Sequence, residues 1–314
     1  LSSIRILVLN YNGLGLLQEC LPSVVEAARR SPVPCRVSIV DNVSRDGARD
    51  WVAQALPSVQ WLAQPANDWL RSYNAVVPQC PEKYVLLLNN DIRLEPDAIA
   101  PLYEALEADP TAFAAAPRYL DFEGAYNGGM HRCGRRFATV WAGPNYPGAE
   151  AESFLPGVTL YNANGLFRRD RFVELGGFDP LFAPVYWEDT DLCAKAWGRG
   201  WPTLYVPASL IHHKASATAR RLFSDHSRHT LGYRNAALWL LVHAPTAEVL
   251  KALAWMPLAI PAYLLTGRWA QAHGLINSLP LLRRALAKRD RGADRAWWPR
   301  FSAPALGPAD APRP

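Results

Sequence analysis

Three short apolar runs in the first third of the chain stop at polar residues, and this pattern constrains the fold most. Residues 4–9 run into Asn10, residues 37–40 into Asp41, and residues 84–88 (YVLLL) into Asn89-Asn90-Asp91. Each run has the length of a buried strand. Between them lie stretches with helical periodicity. Residues 14–30 repeat apolar side chains at Leu17, Leu21, Val24, Val25 and Ala28. Asp46 can cap a helix over 47–56, residues 59–62 read as a further strand, and 71–77 read as a helix ending before Pro78. Pro96 suits the first position of a helix reaching Ala108. Strands alternating with helices predict an α/β protein built on a mostly parallel, doubly wound sheet. Such sheets bind ligands beyond the carboxyl ends of their strands, at a switch in strand order. Asn10, Asp41 and Asp91 are therefore expected on one rim.

Residues 119–156 are rich in Gly and Pro and are expected to carry acceptor-facing loops. Residues 159–164 read as a strand, 168–175 as a helix closed by Gly176-Gly177, and 187–197 as a helix that opens with acids. Residues 203–206 form a last strand before His212-His213. The pattern from 223 to 288 is helical, and 289–314 is charged and then Ala/Pro-rich, as in a flexible tail. The expected organisation is a catalytic unit over 1–222, with a donor half over 1–118 and an acceptor half over 119–222. C-terminal helices over 223–288 and the tail follow.

The 314 residues are half apolar and carry a net charge of +5. A mild basic excess suits a phosphate-bearing substrate or an anionic membrane surface. No zinc-finger spacing and no RNA-recognition signature is visible, so nucleic acid is not an expected partner. The five cysteines (Cys20, Cys35, Cys80, Cys133, Cys193) form no C-x-x-C pair and read as free thiols of a reducing compartment. No basic-then-apolar leader is seen, so no signal peptide is expected. The most apolar stretch, 252–266, is interrupted by Pro257 and Pro261. The expected location is cytoplasmic, with or without peripheral attachment to a membrane.

Four constellations could carry chemistry. Asp41, at a strand end, could accept hydrogen bonds from a nucleobase or a ribose; the plain alternative is a turn acid. Asn89 and Asp91 offer an amide oxygen and a carboxylate two residues apart. That set suits a hard divalent cation, which keeps several waters and takes one or two protein oxygens. Glu188, Asp189 and Asp191 place three acids within four residues at a helix start. Crowded carboxylates raise one another's pKa, and one could serve as a general base. The alternative is ordinary decoration of a helix N-terminus. His212 or His213 could ligate a metal or bind a diphosphate. His226 and His229 read as a solvated helix face.

Together these segments resemble the family 2 glycosyltransferases of bacteria, in particular the rhamnosyltransferase-like branch. The resemblance covers residues 4–235. VDNVSRDG is similar to the family's nucleotide segment, and YVLLLNNDIRLEPDAI to its metal segment, with N-x-D in place of D-x-D. The GGFD turn, the EDTDL helix start, IHHKAS and YRN complete it. It implies a glycosyltransferase A-type fold, a nucleotide-diphosphate sugar donor, and a lipid-linked or glycan acceptor on a pathway to a cell-surface polysaccharide. It implies Mg2+ or Mn2+ held by Asn89 and Asp91 with His212 or His213, and Asp189 as base, with Glu188 and Asp191 as positioning groups. Asn10, Tyr11 and Asp41 would contact the nucleotide, and Asn12, Asn42, Asn74, Asn90, Asn164, Gly165 and Trp187 would line the substrate site. One base and no separate nucleophile imply a single displacement that inverts the anomeric centre.

One segment departs from the family. Where it uses N-x-G-F-a-x-G-x-N, this chain has Asn67-Asp68-Trp69-Leu70-Arg71-Ser72-Tyr73-Asn74. Bulk at glycine positions raises the alternative of a non-catalytic carbohydrate-binding or scaffold homologue. A sugar nucleotidyltransferase would need a basic Gly-rich loop after the first strand, and a dehydrogenase would need G-x-G-x-x-G there; Asn10-Tyr11-Asn12-Gly13 is neither. The apolar segments 238–242, 252–265 and 275–286, flanked by Arg268, Arg283, Arg284, Lys288 and Arg289, could pack on the catalytic unit or lie on an anionic membrane.

Overall fold

The computed structural model describes residues 2–129, 132–136, 138–143, 164–214 and 222–290, with 292, 295 and 298. The first half alternates as expected: β1 (Ile4–Asn10), α1 (Leu14–Arg30), β2 (Cys35–Asp41), α2 (Ala48–Ala55), β3 (Gln60–Ala63), α3 (Ser72–Val76) and β4 (Tyr84–Asn89). A short β5 (Ile92–Leu94), α4 (Ile99–Ala108), β6 (Ala114–Leu120) and β7 (Tyr126–Gly128) follow. Beyond the hairpin of β8 (Arg132–Arg136) and β9 (Thr139–Gly143) come β10 (Gly165–Arg168), α5 (Arg169–Glu174), α6 (Glu188–Trp197) and β11 (Thr203–His213). Four helices close the described chain: α7 (Asp225–His243), α8 (Thr246–Leu265), α9 (Trp269–Ser278) and α10 (Leu282–Ala287).

The main sheet runs β3-β2-β1-β4-β10-β6-β11-β5, with β7 on the side of β6. Its first four strands are parallel. β10 then runs antiparallel to both β4 and β6, β11 is parallel to β6, and β5 is antiparallel to β11. The sheet is thus parallel through these four strands and mixed beyond them. Strand β4 is buried along YVLLL because helices cover both faces, so a continuous apolar run is what the position needs. One core layer joins Leu17, Leu21 and Val24 of α1 to Ile6, Tyr84 and Leu86. The opposite layer joins Leu7, Val85 and Leu87 to Phe172 of α5, Phe178, and Leu192 and Cys193 of α6.

A third apolar cluster gathers Trp187, Trp239, Leu241, Val249, Met256 and Leu275. It fastens α7, α8 and α9 to the start of α6. Helix α7 is packed in, while α8 is largely exposed: Leu258 is 63% and Leu265 88% exposed. Of the two readings of the C-terminal helices, packing therefore describes α7, and α8 presents an apolar surface.

Several sequence expectations shift. The strand expected over 159–164 falls outside the described residues except for Asn164, and the strand observed begins at Gly165. The strand expected to stop at 206 continues to His213, with its register shifting between Val206 and Leu210. A bulge absorbs Pro207, which cannot donate to a ladder. Gly47, not Asp46, is the N-cap of α2, and Asp46 accepts from Leu14 N at 2.7 Å and from Ala48 N at 3.3 Å, tying two helix starts together. Cys20, Cys35 and Cys80 are free, and burial pushes the Cys20 thiol up to about 12. The tail over 289–314 lies mostly outside the described residues.

Candidate active site

The carboxyl ends of β1, β2 and β4 form one rim, since Asn10 pairs in register with Asp41, and Leu9 with Asn89. Asn10 is fully buried there. Its amide donates to Asp41 Oδ1 at 3.1 Å and Ser44 Oγ at 3.0 Å, and its oxygen accepts from Asn90 Nδ2 at 2.8 Å. Ser44 N donates to the other Asp41 oxygen at 3.0 Å. Asn12, in the left-handed region at φ +46°, accepts from Arg45 N at 2.8 Å. The loops after β1 and β2 are thereby laced together, with half-buried Tyr11 on their rim. Gly13 passes so close that a Cβ would sit 2.1 Å from Asn90 Nδ2. Asn10 and Asn90 act as the scaffold that aims Asp41.

Asn42 reaches the other way, donating to Asn67 Oδ1 at 3.0 Å and accepting from Ser72 Oγ. It holds the departing 67–74 segment, and here the structure resolves the bulky substitutions. Trp69 has φ +55°, so it keeps the left-handed backbone that a glycine would supply, and its ring stacks on Phe223 at 5.6 Å. Tyr73 points into the core, where its hydroxyl donates to Leu88 O at 2.8 Å and Leu7 O at 3.2 Å. Asn74, expected to line the substrate site, is turned away from it. It clasps the GGFD turn, donating to Phe178 O at 2.8 Å and accepting from Phe178 N at 2.9 Å. A Cβ on Gly177 would lie 2.2 Å from the Asn74 oxygen, so glycine is needed at that turn.

Asp91 closes the short turn from β4 to β5 and is buried. Its Oδ1 has no hydrogen-bond partner among the described residues and lies 3.5 Å from His213 Nε2. The antiparallel pairing of β5 with β11 sets His213 opposite Ile92, next to Asp91. Adjacent strand residues face opposite ways, which separates the two histidines. His212 is committed elsewhere: its Nε2 meets Glu95 Oε1 at 2.8 Å and its Nδ1 meets Asp121 O at 2.9 Å. Those bonds remove His212 from the set of metal-ligand candidates. No group of three or more acid, His or Cys side chains able to hold a metal ion by themselves is found among the described residues. One orphaned carboxylate oxygen beside one imidazole, with Asn89 at the strand end, fits a cation that takes few protein ligands and fills its shell with diphosphate and water.

The acids of α6 divide by helix geometry. Successive residues turn by about 100°, so Asp189 and Asp191 point to nearly opposite faces. Asp191 is fully buried at the back, bonded to His243 Nε2 at 2.7 Å and Lys195 Nζ at 2.6 Å. Burial alone would raise its pKa, but Lys195 and His243 outweigh that and hold it below the ordinary range. Asp191 is thus an anchor that holds α6 from behind. Asp189 accepts from its neighbour Thr190, and burial pushes its carboxyl up to about 6. Glu188 is raised well above its usual value by burial and by Asp189, and its Oε2 has no partner among the described residues. Trp187, the cap of α6, and Tyr186 before it both have left-handed backbones, at φ +71° and +76°.

Tyr119 joins the two ends of the site, and the sequence reading did not single it out. Its ring meets the edge of His213 at 5.7 Å. Its phenol is raised first by burial and then by the charge of Asp189. Its hydroxyl donates to Asn164 O at 3.1 Å, while Asn164 Oδ1 accepts from Asn89 N at 2.7 Å. Asn164 and Gly165, expected in the site, therefore begin β10 between the Asn89 end and the acid turn. Asn164 Nδ2 has no partner among the described residues. Only strand β6 carries Tyr119 to this point, and its sequence AAAPRYL carries no strand signal.

A sheet that is parallel under a rim of polar strand ends and mixed beyond it is the architecture of the glycosyltransferase A type. The chain belongs to glycosyl transferase family 2, whose family model matches residues 5–176. It is 30% identical over 235 residues to the N-acetylglucosaminyl-diphospho-decaprenol L-rhamnosyltransferase of Mycobacterium tuberculosis (strain CDC 1551 / Oshkosh), covering 65% of this chain and 74% of that protein. Its fold is similar to S. aureus TarS 1-349 in complex with UDP-GlcNAc (TM-score 0.59, 13% identity, 91% of this chain and 84% of that one). It is also similar to GalNAc-T7 with UDP, GalNAc and Mn2+ (TM-score 0.57, 16% identity, 77% of this chain), of which it spans about half, 48%.

Proposed function

We propose that this glycosyltransferase inverts the sugar it transfers, uses a divalent cation, and acts on a lipid-linked acceptor in cell-surface polysaccharide synthesis. The observation that supports the reading is Tyr119, whose ring meets His213 at 5.7 Å and whose phenol feels the charge of Asp189. Asp41 receives the nucleoside, held in place by Asn10 and Ser44. Asp91 and His213, with Asn89, would hold a divalent cation, which would supply charge neutralisation for the leaving diphosphate. Asp189 takes the proton of the attacking acceptor hydroxyl. With one base and no separate nucleophile assigned among the described residues, transfer is a single displacement. The lipid-linked acceptor follows the printed name of the mycobacterial relative.

The raised carboxyl of Asp189 predicts a pH profile. The base works only without its proton, so kcat holds above pH about 6 and falls as pH drops through that value. A limb near the ordinary aspartate value of 3.8 contradicts the assignment.

A lipid-linked acceptor places the enzyme at the cytoplasmic face of a membrane. Helix α8 supports this, being long and apolar enough to cross a bilayer by length and composition. Leu250, Leu258 and Leu265 recur along it at helical spacing and are exposed, with Trp269 beyond and Arg268 beside them. Such a face lies in the interface of an anionic membrane. The protein should sediment with anionic vesicles, less so in high salt, and the pair Leu258→Asp and Leu265→Asp should release it. Wild-type protein that stays in the supernatant removes the membrane from the reading.

A further inference from the structure

The acid turn has an unusual start, and α7 touches it at every point along one face. Residues 235, 239 and 243 are spaced by four, so they form one stripe on the helix. Asn235 is fully buried, and its amide sits 2.8 Å from Phe182 O, 2.9 Å from Val185 O and 2.8 Å from Tyr186 O. Two N–H groups serve three carbonyls. Arg234, next to it, donates to Ala183 O and to the Asn235 oxygen. One turn on, the Trp239 ring lies 5.4 Å from Trp187. Another turn on, His243 Nε2 meets Asp191 Oδ1 at 2.7 Å. Burial lowers the His243 pKa despite that carboxylate, so the imidazole is neutral and donates its Nε2 proton.

These contacts oppose a cost. Two successive non-glycine residues, Tyr186 and Trp187, sit in the left-handed region that side chains disfavour. They persist only where surroundings over-determine them. The three carbonyls held by Asn235 belong to this bend, and Trp187 is the residue directly before Glu188 and Asp189. The bend sets where the first turn of α6 points, and the His243–Asp191 bond fixes the rotation of that helix about its axis.

We propose that the Asn235-Trp239-His243 face of α7 is the positioning template for the base, holding Asp189 in line with the donor. The inference rests on Asp189 being the base. It gives the C-terminal helices a part in the chemical step that is separate from any attachment to a membrane. The three residues act through the turn and do not touch substrate. Their loss therefore lowers kcat and leaves donor binding and acceptor KM largely in place. A shift of the base by about 1 Å can cost on the order of 10²-fold in rate.

The test compares full-length variants in a detergent-free assay with a water-soluble acceptor, and reads nucleoside diphosphate affinity with Mn2+ alongside. Asn235→Ala should lower kcat at least ~30-fold, toward that limit, with diphosphate affinity and acceptor KM within about threefold of wild type. His243→Gln, whose amide can still donate to Asp191, should keep most of the rate, while His243→Leu should lose it to a similar degree. Wild-type kcat in Asn235→Ala, or equal rates in the two His243 variants, overturns the template. Should Asn235→Ala fail to fold, seen as lost diphosphate binding, the His243 pair decides by the same criteria. Asp189→Asn separates this outcome from failure of the base itself. If it retains turnover, the base assignment falls; if it is inactive while the α7 variants are not, only the template falls.

Discussion

Asp189→Asn is expected to lower kcat by about 10²–10⁴-fold, the range for loss of a positioned general base. The amide has the size of the carboxyl and can accept the bond from Thr190 N, so the turn keeps its shape. Affinity for the nucleotide sugar should stay within a small factor, since the nucleotide rim is built from other elements. Stability should move in the opposite direction to activity. Burial raises the folded pKa of Asp189 from 3.8 to about 6, so above that value the native state carries a charge it would shed more readily than the unfolded chain does. That cost grows as pH rises from about 4 and is fully present above about 6. The Asn variant escapes it and should melt at or above wild type at neutral pH. Turnover above a tenth of wild type, or a clear fall in melting temperature, counts against the assignment.

The second large effect is at Asp91. Removing its carboxylate, or adding excess chelator, should reduce transfer by roughly 10³-fold or more, since metal stabilisation of a leaving group is worth several kcal/mol. The metal-free protein tells the rest. Asp91 Oδ1 is buried with no hydrogen-bond partner among the described residues, so the side chain contributes little to the unliganded fold. Asp91→Asn should therefore be no less stable than wild type without metal. Wild type with Mn2+ and nucleoside diphosphate should gain melting temperature with ligand concentration, and Asp91→Asn should not. His213→Ala should weaken the same response, and His212→Ala should leave it. Full activity in excess chelator removes the cation from the account.

The parallel half of the fold was legible because continuous apolar strands and periodic helices leave a strong signal. Strand β6 was not legible. Ala114-Ala115-Ala116-Pro117 has low strand propensity, and it becomes a strand because β10 and β11 flank it. Its end carries Tyr119, so the residue that joins the two halves of the site was hidden with it. Asp91 and Asp189 stood out as strand-end and helix-start acids, whereas the roles of their neighbours depended on direction. Strand alternation already parts His212 from His213, and the helical turn parts Asp189 from Asp191; both rules were available in the sequence. Asn74 and Asn235 could not be read that way. Each satisfies backbone groups of a segment far along the chain, a pairing that only the folded arrangement creates. The Trp69 departure was informative in reverse, because a left-handed backbone at a tryptophan keeps the glycine's conformation without the glycine.

A crystal structure with Mn2+ and an unhydrolysed nucleotide sugar is the most direct measurement. The cation should lie against Asp91 and His213, the base of the nucleotide by Asp41, and the open face of the anomeric carbon toward Asp189. A nucleotide bound with its diphosphate away from residue 91, or its sugar turned from residue 189, contradicts the account.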